Sequence, residues 1–220
     1  RHDINRPSLA RLLSNVRGRR IMVLGDAVVE RYILCDTIDV ASESPMMSLR
    51  ELDQIDYAGG AAIIAAQLAA LGADTVLITG TGADPLSAWM LEQLTVAGVD
   101  VRPVRHRREP ALRTRYLVDD HKLFKVDRTS VCPLDSIGER EAADVVAAQS
   151  ADADAAVVYD WGYGLITPGL LQLLGATFRH RLPFIAGGSA GPQVNLTSLR
   201  GFDLLCCSER RLRVAMSDFG

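Results

Sequence analysis

Several polar residues stand where a ligand could be bound. Asp26, Asp160 and the pair Ser208-Glu209 each come directly after a run of apolar residues. A carboxylate at the end of a buried strand can accept hydrogen bonds from sugar hydroxyls or hold a magnesium ion through water. Each of these residues alone also fits an ordinary turn, but their shared placement favours a site for a polyhydroxylated or phosphorylated small molecule.

A second candidate feature is the glycine pair Gly59-Gly60 at the start of a predicted helix. Residues 61–71 contain one polar side chain, Gln67, and strong helix formers, so they predict a helix that is buried on all sides and ends at Gly72. Because the two glycines have no Cβ, the backbone N–H groups at the start of this helix can approach an anion. The alternative is a buried helix with a flexible entry, because a Gly-Gly pair alone is a weak signal.

The elements around these residues predict an α/β fold with a doubly wound, mostly parallel sheet, because short apolar runs alternate with helical segments of about 12 residues. The predicted strands are 21–24, 75–79, 99–104, 155–159, 183–186 and 202–207. Carboxyl ends of parallel strands meet at one edge, where ligands bind. The segments expected at this edge are Gly25-Asp26, Thr79-Gly80, Asp160 with its Gly-x-Gly, Gly187-Gly188-Ser189 and Ser208-Glu209.

Two segments depart from this rhythm. Residues 31–57 and 112–127 show the two-residue alternation of short antiparallel strands, and Asp119-Asp120-His121 is a turn signal in the second. We expect them to form one small β-sheet that projects from the main domain. Such a sheet has an apolar side that must be covered, either by substrate or by a second copy of the chain.

The composition excludes several classes of protein. The formal net charge of −3 predicts no nucleic-acid partner, and no apolar run reaches the roughly 18 residues of a membrane span. The 4 cysteines form no CxxC pair and no metal-ligand spacing, so they are expected to be reduced. Together these features predict a cytoplasmic protein without a membrane contact.

The order of these features resembles the ribokinase-like (PfkB) carbohydrate kinases, and most strongly the kinase module of bacterial heptose-phosphate kinases. The resemblance runs from about residue 9 to the end of the chain. It implies an α/β domain with a β-sheet lid over a sugar, ATP as phosphoryl donor, Mg²⁺ as cofactor, and a homodimer joined through the lid. The matching stretches are Gly25 to Tyr32, Gly59 to Ala62, Leu117 to Asp127, Asp160 to Gly164 and Cys206 to Glu209.

The resemblance also implies roles for individual residues. The substrate-binding group comprises Asp26, Glu30, Gly59 and Gly60, with the two glycines also acting as the lid hinge. The group near nucleotide phosphate comprises Asp160, Ser208 and Glu209, with Glu209 also expected to bind the metal.

Some positions depart from the family pattern. Glu30 replaces Asp, Ile63 replaces Asn, Tyr163 replaces Lys, Ser208 replaces Asn and Arg211 replaces Glu. These changes remove polar groups and alter charge at the predicted edge. They leave open a second interpretation, a kinase-like domain that has lost phosphoryl transfer and serves ligand binding or assembly. A dehydrogenase of the Rossmann type is less favoured, because no complete G-x-G-x-x-G is present.

The family's Gly-Ala-Gly-Asp stretch, which supplies the anion hole and the catalytic base, does not occur within residues 1–220. We therefore assign no catalytic residue and expect residues 1–220 to form a ribokinase-like domain that lacks its carboxyl-terminal part.

Overall fold

A computed structural model describes residues 5–40, 46–190 and 196–217, which form two β-sheets and the helices that pack on them. The strands are β1 (Arg20–Gly25), β2 (Ala27–Val40), β3 (Met47–Gly60), β4 (Asp74–Thr81), β5 (Val99–Arg105), β6 (Ala111–Val118), β7 (His121–Arg128), β8 (Ala155–Asp160), β9 (Ile185–Ser189) and β10 (Leu204–Cys206). The α-helices are α1 (Arg6–Ser14), α2 (Ala61–Ala70), α3 (Pro85–Val96), α4 (Ser136–Gln149), α5 (Pro168–Arg181) and α6 (Glu209–Ala215).

The larger sheet is parallel throughout, with strand order β10-β9-β8-β1-β4-β5. Alternate residues of β1 point to opposite faces, and both faces are covered. Met22 and Leu24 pack in a cluster with α4 and α5, whereas Val23 packs in a second cluster with α2 and α3. The predicted α/β fold with a doubly wound sheet is therefore confirmed.

The second sheet has strand order β3-β2-β6-β7, and we call it the lid. It contains both segments that the sequence alternation predicted, with β2 parallel to β6 and the other pairs antiparallel. Its strands are longer than predicted, because β2 begins one residue after Asp26 and β3 runs to Gly60 at the start of α2. Residues 41–45 of the predicted lid lie outside the described residues.

Three predictions need correction, one of them the strand predicted over 202–207, which is shorter and spans Leu204–Cys206. Helix α2 is not buried on all sides: Ala61, Ala62 and Ala65 are buried, but Ile63 is 48% exposed, because only one face of the helix packs on the sheet. Strand β9 begins later than predicted, at Ile185, whose register pairs it with Ala156. The predicted start is a proline, which has no N–H to donate to the ladder.

The helices of the structure can be compared with the length of a membrane span. Within residues 5–40, 46–190 and 196–217, no helix is long and apolar enough to cross a bilayer.

Candidate ligand-binding site

The carboxyl ends of the parallel strands form one edge of the central sheet, which we call the carboxyl edge. Asp26 follows β1, and Asp160 is the last residue of the neighbouring β8. Ser189 ends β9 in register with Asp160, and Ser208 follows β10 at the start of α6. The structure thus brings the predicted strand-end residues to one side of the molecule.

Asp26 is a buried carboxyl at the carboxyl edge, with 1% of its surface exposed. Its Oδ2 accepts a hydrogen bond from the backbone N–H of Tyr163 at 3.3 Å, and its Oδ1 has no partner. Burial raises the pKa of this carboxyl, and the nearby positive charge of Arg107 opposes the rise. Asp26 therefore offers a buried acceptor that the protein itself leaves unused.

Asp160 is a second buried carboxyl at the carboxyl edge. Burial raises its pKa to about 6, and the negative charge of Asp26 contributes to the rise. Its Oδ1 accepts a hydrogen bond of 2.7 Å from the backbone N–H of Gly162, which favours the ionised form. The two carboxyls are therefore electrostatically coupled.

The buried polar atoms without a hydrogen-bond partner are concentrated at this edge. Among the described residues they are Asp26 Oδ1, Thr81 Oγ1, His106 Nε2, Arg107 Nε, Thr129 Oγ1, Trp161 Nε1 and Ser189 Oγ. All except that of Thr129 belong to the end of a central-sheet strand or to the loop directly after it. Buried polar groups normally have partners, so this concentration favours a site that binds water or ligand.

Gly59 and Gly60 join the lid to helix α2. Gly60 has φ 65°, and a Cβ there would lie 2.4 Å from the backbone oxygen of Asp26. That same oxygen accepts a 2.9 Å hydrogen bond from the N–H of Ala61. A Cβ on Gly59 would lie 2.5 Å from Cγ of Glu30. Gly60 therefore requires glycine, because its φ is positive and the Asp26 backbone lies so close, whereas a side chain at position 59 would displace the Glu30 side chain of the neighbouring lid strand.

Glu30 points from β2 of the lid and is paired with two arginines of β6. Its carboxylate forms ion pairs with Arg115 and, at 3.5 Å, with Arg113. The side chain of Glu30 is 13% exposed. Sequence reasoning missed both arginines. The signal that could have found them is the alternation of β6, which places Arg113 and Arg115 on the face opposite to Thr114.

Arg113 connects the lid with the loop after β8. Its guanidinium lies 4.2 Å from the centre of the Trp161 ring, and its Nε donates a 2.8 Å hydrogen bond to the Tyr163 hydroxyl. Arg107 donates a further hydrogen bond of 2.8 Å to the backbone oxygen of Tyr163. Tyr163 stands where the family pattern has lysine, so Arg113 brings a cation from the lid to the same neighbourhood.

A cleft of about 410 Å³ lies at the β9 and β10 end of the carboxyl edge. Its lining residues are Tyr159, Ser189, Ala190, Cys206, Cys207, Ser208 and Arg211. Ser208 is exposed and stands at the N-cap of α6, but its side chain makes no capping hydrogen bond. Ser208, which was predicted to lie near phosphate, therefore lines this cleft.

Glu209, the predicted metal ligand, lies on the surface of α6. Its side chain is 79% exposed and forms a 3.0 Å ion pair with Arg213. Among the described residues, no three His, Cys, Asp or Glu side chains are grouped so that they could hold a metal ion. The residues at this edge therefore do not fit a magnesium ion without additional ligands.

The chain matches no family model. Curated relatives include the Bifunctional protein HldE of Hyphomonas neptunium, 30% identical over 166 residues, and that of Caulobacter vibrioides, 30% identical over 170 residues. These alignments cover 74% and 75% of this chain and 34% of each relative. The chain thus spans about a third of the length of these relatives.

Solved structures share the fold at low sequence identity. The phosphofructokinase-2 of Escherichia coli in complex with fructose-6-phosphate has a TM-score of 0.69 and 15% identity, covering 91% of this chain and 64% of that one. The ribokinase of Arabidopsis thaliana complexed with ribose and ATP has a TM-score of 0.67 and 16% identity, with coverages of 91% and 63%.

Proposed function

Because this chain resembles the ribokinase-like (PfkB) carbohydrate kinases in both sequence and fold, we propose that it is part of an enzyme that transfers a phosphoryl group from ATP to a sugar or sugar phosphate. The attacking hydroxyl oxygen would form a bond to the γ-phosphorus, and the bond from that phosphorus to the β,γ-bridging oxygen would break to release ADP. The observation that carries this proposal is the buried, partnerless acceptor of Asp26 at an edge that the lid contacts through Arg113.

The substrate would lie between the carboxyl edge and the lid. Asp26 would accept a hydrogen bond from a sugar hydroxyl through its free Oδ1. Glu30 would contribute a second carboxylate from the lid, after releasing part of its ion pairing with Arg113 and Arg115. Gly59 and Gly60 would line this space and let the lid swing where β3 meets α2.

The nucleotide would approach the β9 and β10 end of the edge. Asp160 and Ser208 would lie near its phosphates, and Mg²⁺ would arrive with the nucleotide. Glu209 remains a prediction as metal ligand, because it would have to leave Arg213 and be joined by ligands from the nucleotide or from outside the described residues. No residue of this chain is assigned as the catalytic base.

Within the sugar phosphates, we favour a heptose phosphate, because the sequence resembles the kinase module of the bacterial heptose-phosphate kinases. The alternative is a domain that has lost phosphoryl transfer and serves ligand binding or assembly. The relatives and solved structures named above do not favour that alternative.

The test is ADP production by the full-length protein with ATP, Mg²⁺ and a panel of sugars and sugar phosphates that includes heptose phosphates. We expect ADP that depends on one member of the panel and a phosphorylated product by mass spectrometry. The absence of ADP with every member would contradict the kinase proposal and leave the binding module.

A further inference from the structure

We propose that the cleft at the ends of β9 and β10 binds a phosphate group directly through the guanidinium of Arg211, with no divalent cation between them. The proposal deepens the proposed function, since it names how the charge of a phosphate would be neutralised at this edge. It rests on that function only for the expectation that the phosphate belongs to a nucleotide.

The charge of the cleft is the first argument. Among the described residues that line it, Arg211 alone carries a formal charge, and none is a carboxylate. Asp160 lies close enough for Arg211 to lower its pKa, but it does not line the cleft. The volume of about 410 Å³ is within the range of small-molecule sites and leaves room for a diphosphate. The lining therefore suits an anion and not a cation.

The placement of Arg211 is the second argument. Its side chain is partly buried, and one terminal nitrogen donates a hydrogen bond to the backbone oxygen of Ala190 on the cleft wall. This bond fixes the guanidinium at the cleft and uses one of its five N–H donors. The planar fork of a guanidinium binds phosphate oxygens in a bidentate manner, which a fixed orientation assists.

A buried hydroxyl at the end of β9 is the third argument. Ser189 is 5% exposed and lines the cleft, yet its Oγ has no hydrogen-bond partner. Leaving a buried polar atom unpaired costs free energy unless a ligand or water pairs with it. A phosphate oxygen held by Arg211 would give this hydroxyl an acceptor.

The charge at position 211 argues against a metal ion between this residue and the phosphate. Arg211 stands where the family pattern has glutamate, and Glu209 is turned outward to Arg213. A divalent cation beside the Arg211 guanidinium would experience strong repulsion between like charges. A glutamate at this position could attract a phosphate only through a bound metal ion. Arg211 carries the positive charge itself.

The experiment is calorimetric titration of the full-length protein with ADP and with inorganic pyrophosphate, each in EDTA and in Mg²⁺. We expect binding in EDTA, with a Kd that changes by less than about threefold when Mg²⁺ is added. Binding of both probes would show that a phosphate group is sufficient for binding to the cleft. Tighter binding of ADP than of pyrophosphate would show that the phosphate belongs to a nucleotide. The matched variants are Arg211→Gln, Arg211→Glu and the exposed neighbour Arg210→Gln as control.

Loss of a charge-assisted hydrogen bond predicts that Arg211→Gln raises Kd by about tenfold or more, whereas Arg210→Gln leaves it unchanged. Arg211→Glu should abolish binding in EDTA, and thermal unfolding would verify that each variant is folded. Binding that requires Mg²⁺ in the wild-type protein, or equal losses in the Arg210 and Arg211 variants, would overturn the proposal. Binding in EDTA without ADP production would support this inference while contradicting the kinase proposal.

Discussion

Asp26 and Asp160 lie on neighbouring strands of the central sheet, and burial raises the pKa of both carboxyls. A buried carboxylate destabilises the fold where the cost of its desolvation exceeds the attraction of nearby positive charge, because ionisation costs more inside the protein than in water. The carboxyl edge therefore reduces stability in exchange for acceptors that are free to bind a ligand, as expected of a functional site.

The pKa of Asp160 gives a test of this cost. The folded value of about 6 exceeds the ordinary value of 3.8, so this residue's contribution to the free energy of unfolding falls as pH rises from about 4 through 6. Asp160→Asn should therefore stabilise the protein at pH 7 by about 2 to 3 kcal/mol. Urea unfolding should show the gain shrinking as pH is lowered toward 4. A gain that is absent at pH 7, or independent of pH, would contradict this assignment.

The contact between Arg113 and Tyr163 gives a second test at this scale. Tyr163→Phe removes the hydroxyl that accepts from the Arg113 Nε at 2.8 Å, and a buried hydrogen bond to a charged group is worth about 1.5 to 3 kcal/mol. We expect urea unfolding to show a loss of about that size. Tyr57→Phe is the control, because Tyr57 is 53% exposed on the lid. Equal effects of the two substitutions would argue against a specific contact.

At the scale of the element, the junction between β3 and α2 fixes how the lid meets the domain. Gly60→Ala combines a positive φ with a Cβ that would lie 2.4 Å from a backbone oxygen, so it should cost more than about 2 kcal/mol. Gly98→Ala is the matched control, since Gly98 has φ 79° and a Cβ added there would meet open space. That substitution should cost about 1 kcal/mol. Chemical denaturation that ranks the two equally would refute a steric requirement at Gly60.

The sequence was sufficient for most elements, because their signals are local. The run 21–24 is apolar on both faces and is bounded by Gly25. Pro85 marks the start of α3, and the turn at 119–121 separates two alternating segments. The contacts of the site were harder to predict, because they depend on register. Glu30 meets Arg113 and Arg115 only through the parallel pairing of β2 with β6.

Other features of the site depend on tertiary packing that no local pattern encodes. Arg211 reaches the wall of the cleft only because α6 follows the short strand β10 at the edge of the sheet. The exposed face of α2 could not be predicted from an apolar helix, because composition does not say how much of a helix another layer will cover.

At the scale of the whole molecule, we predict a homodimer joined through the lid. The lid face opposite Glu30 carries Tyr116, stacked on Phe124 at 4.7 Å, and Phe124 is 48% exposed. An aromatic pair with one exposed member on a projecting sheet favours a protein interface at this face. Phe124→Asp should convert a dimer to a monomer by light scattering. Val96→Asp, at another apolar residue that is 80% exposed, should leave the dimer intact.

A monomeric wild-type protein would contradict the dimer prediction. Dissociation by Val96→Asp to the same extent as by Phe124→Asp would contradict the location of the interface on the lid.

The central claim is that a sugar phosphate binds under the lid at the carboxyl edge through Asp26. Thermal unfolding of the full-length protein with a panel of sugar phosphates tests it most directly, since a ligand present at 100 times its Kd stabilises the folded state by about 2.7 kcal/mol. We predict that at least one sugar phosphate raises the Tm of the wild-type protein and of Asp119→Asn, a control on the lid turn, but not that of Asp26→Asn. No rise with any sugar phosphate, or an equal rise in the Asp26 variant, would contradict the claim.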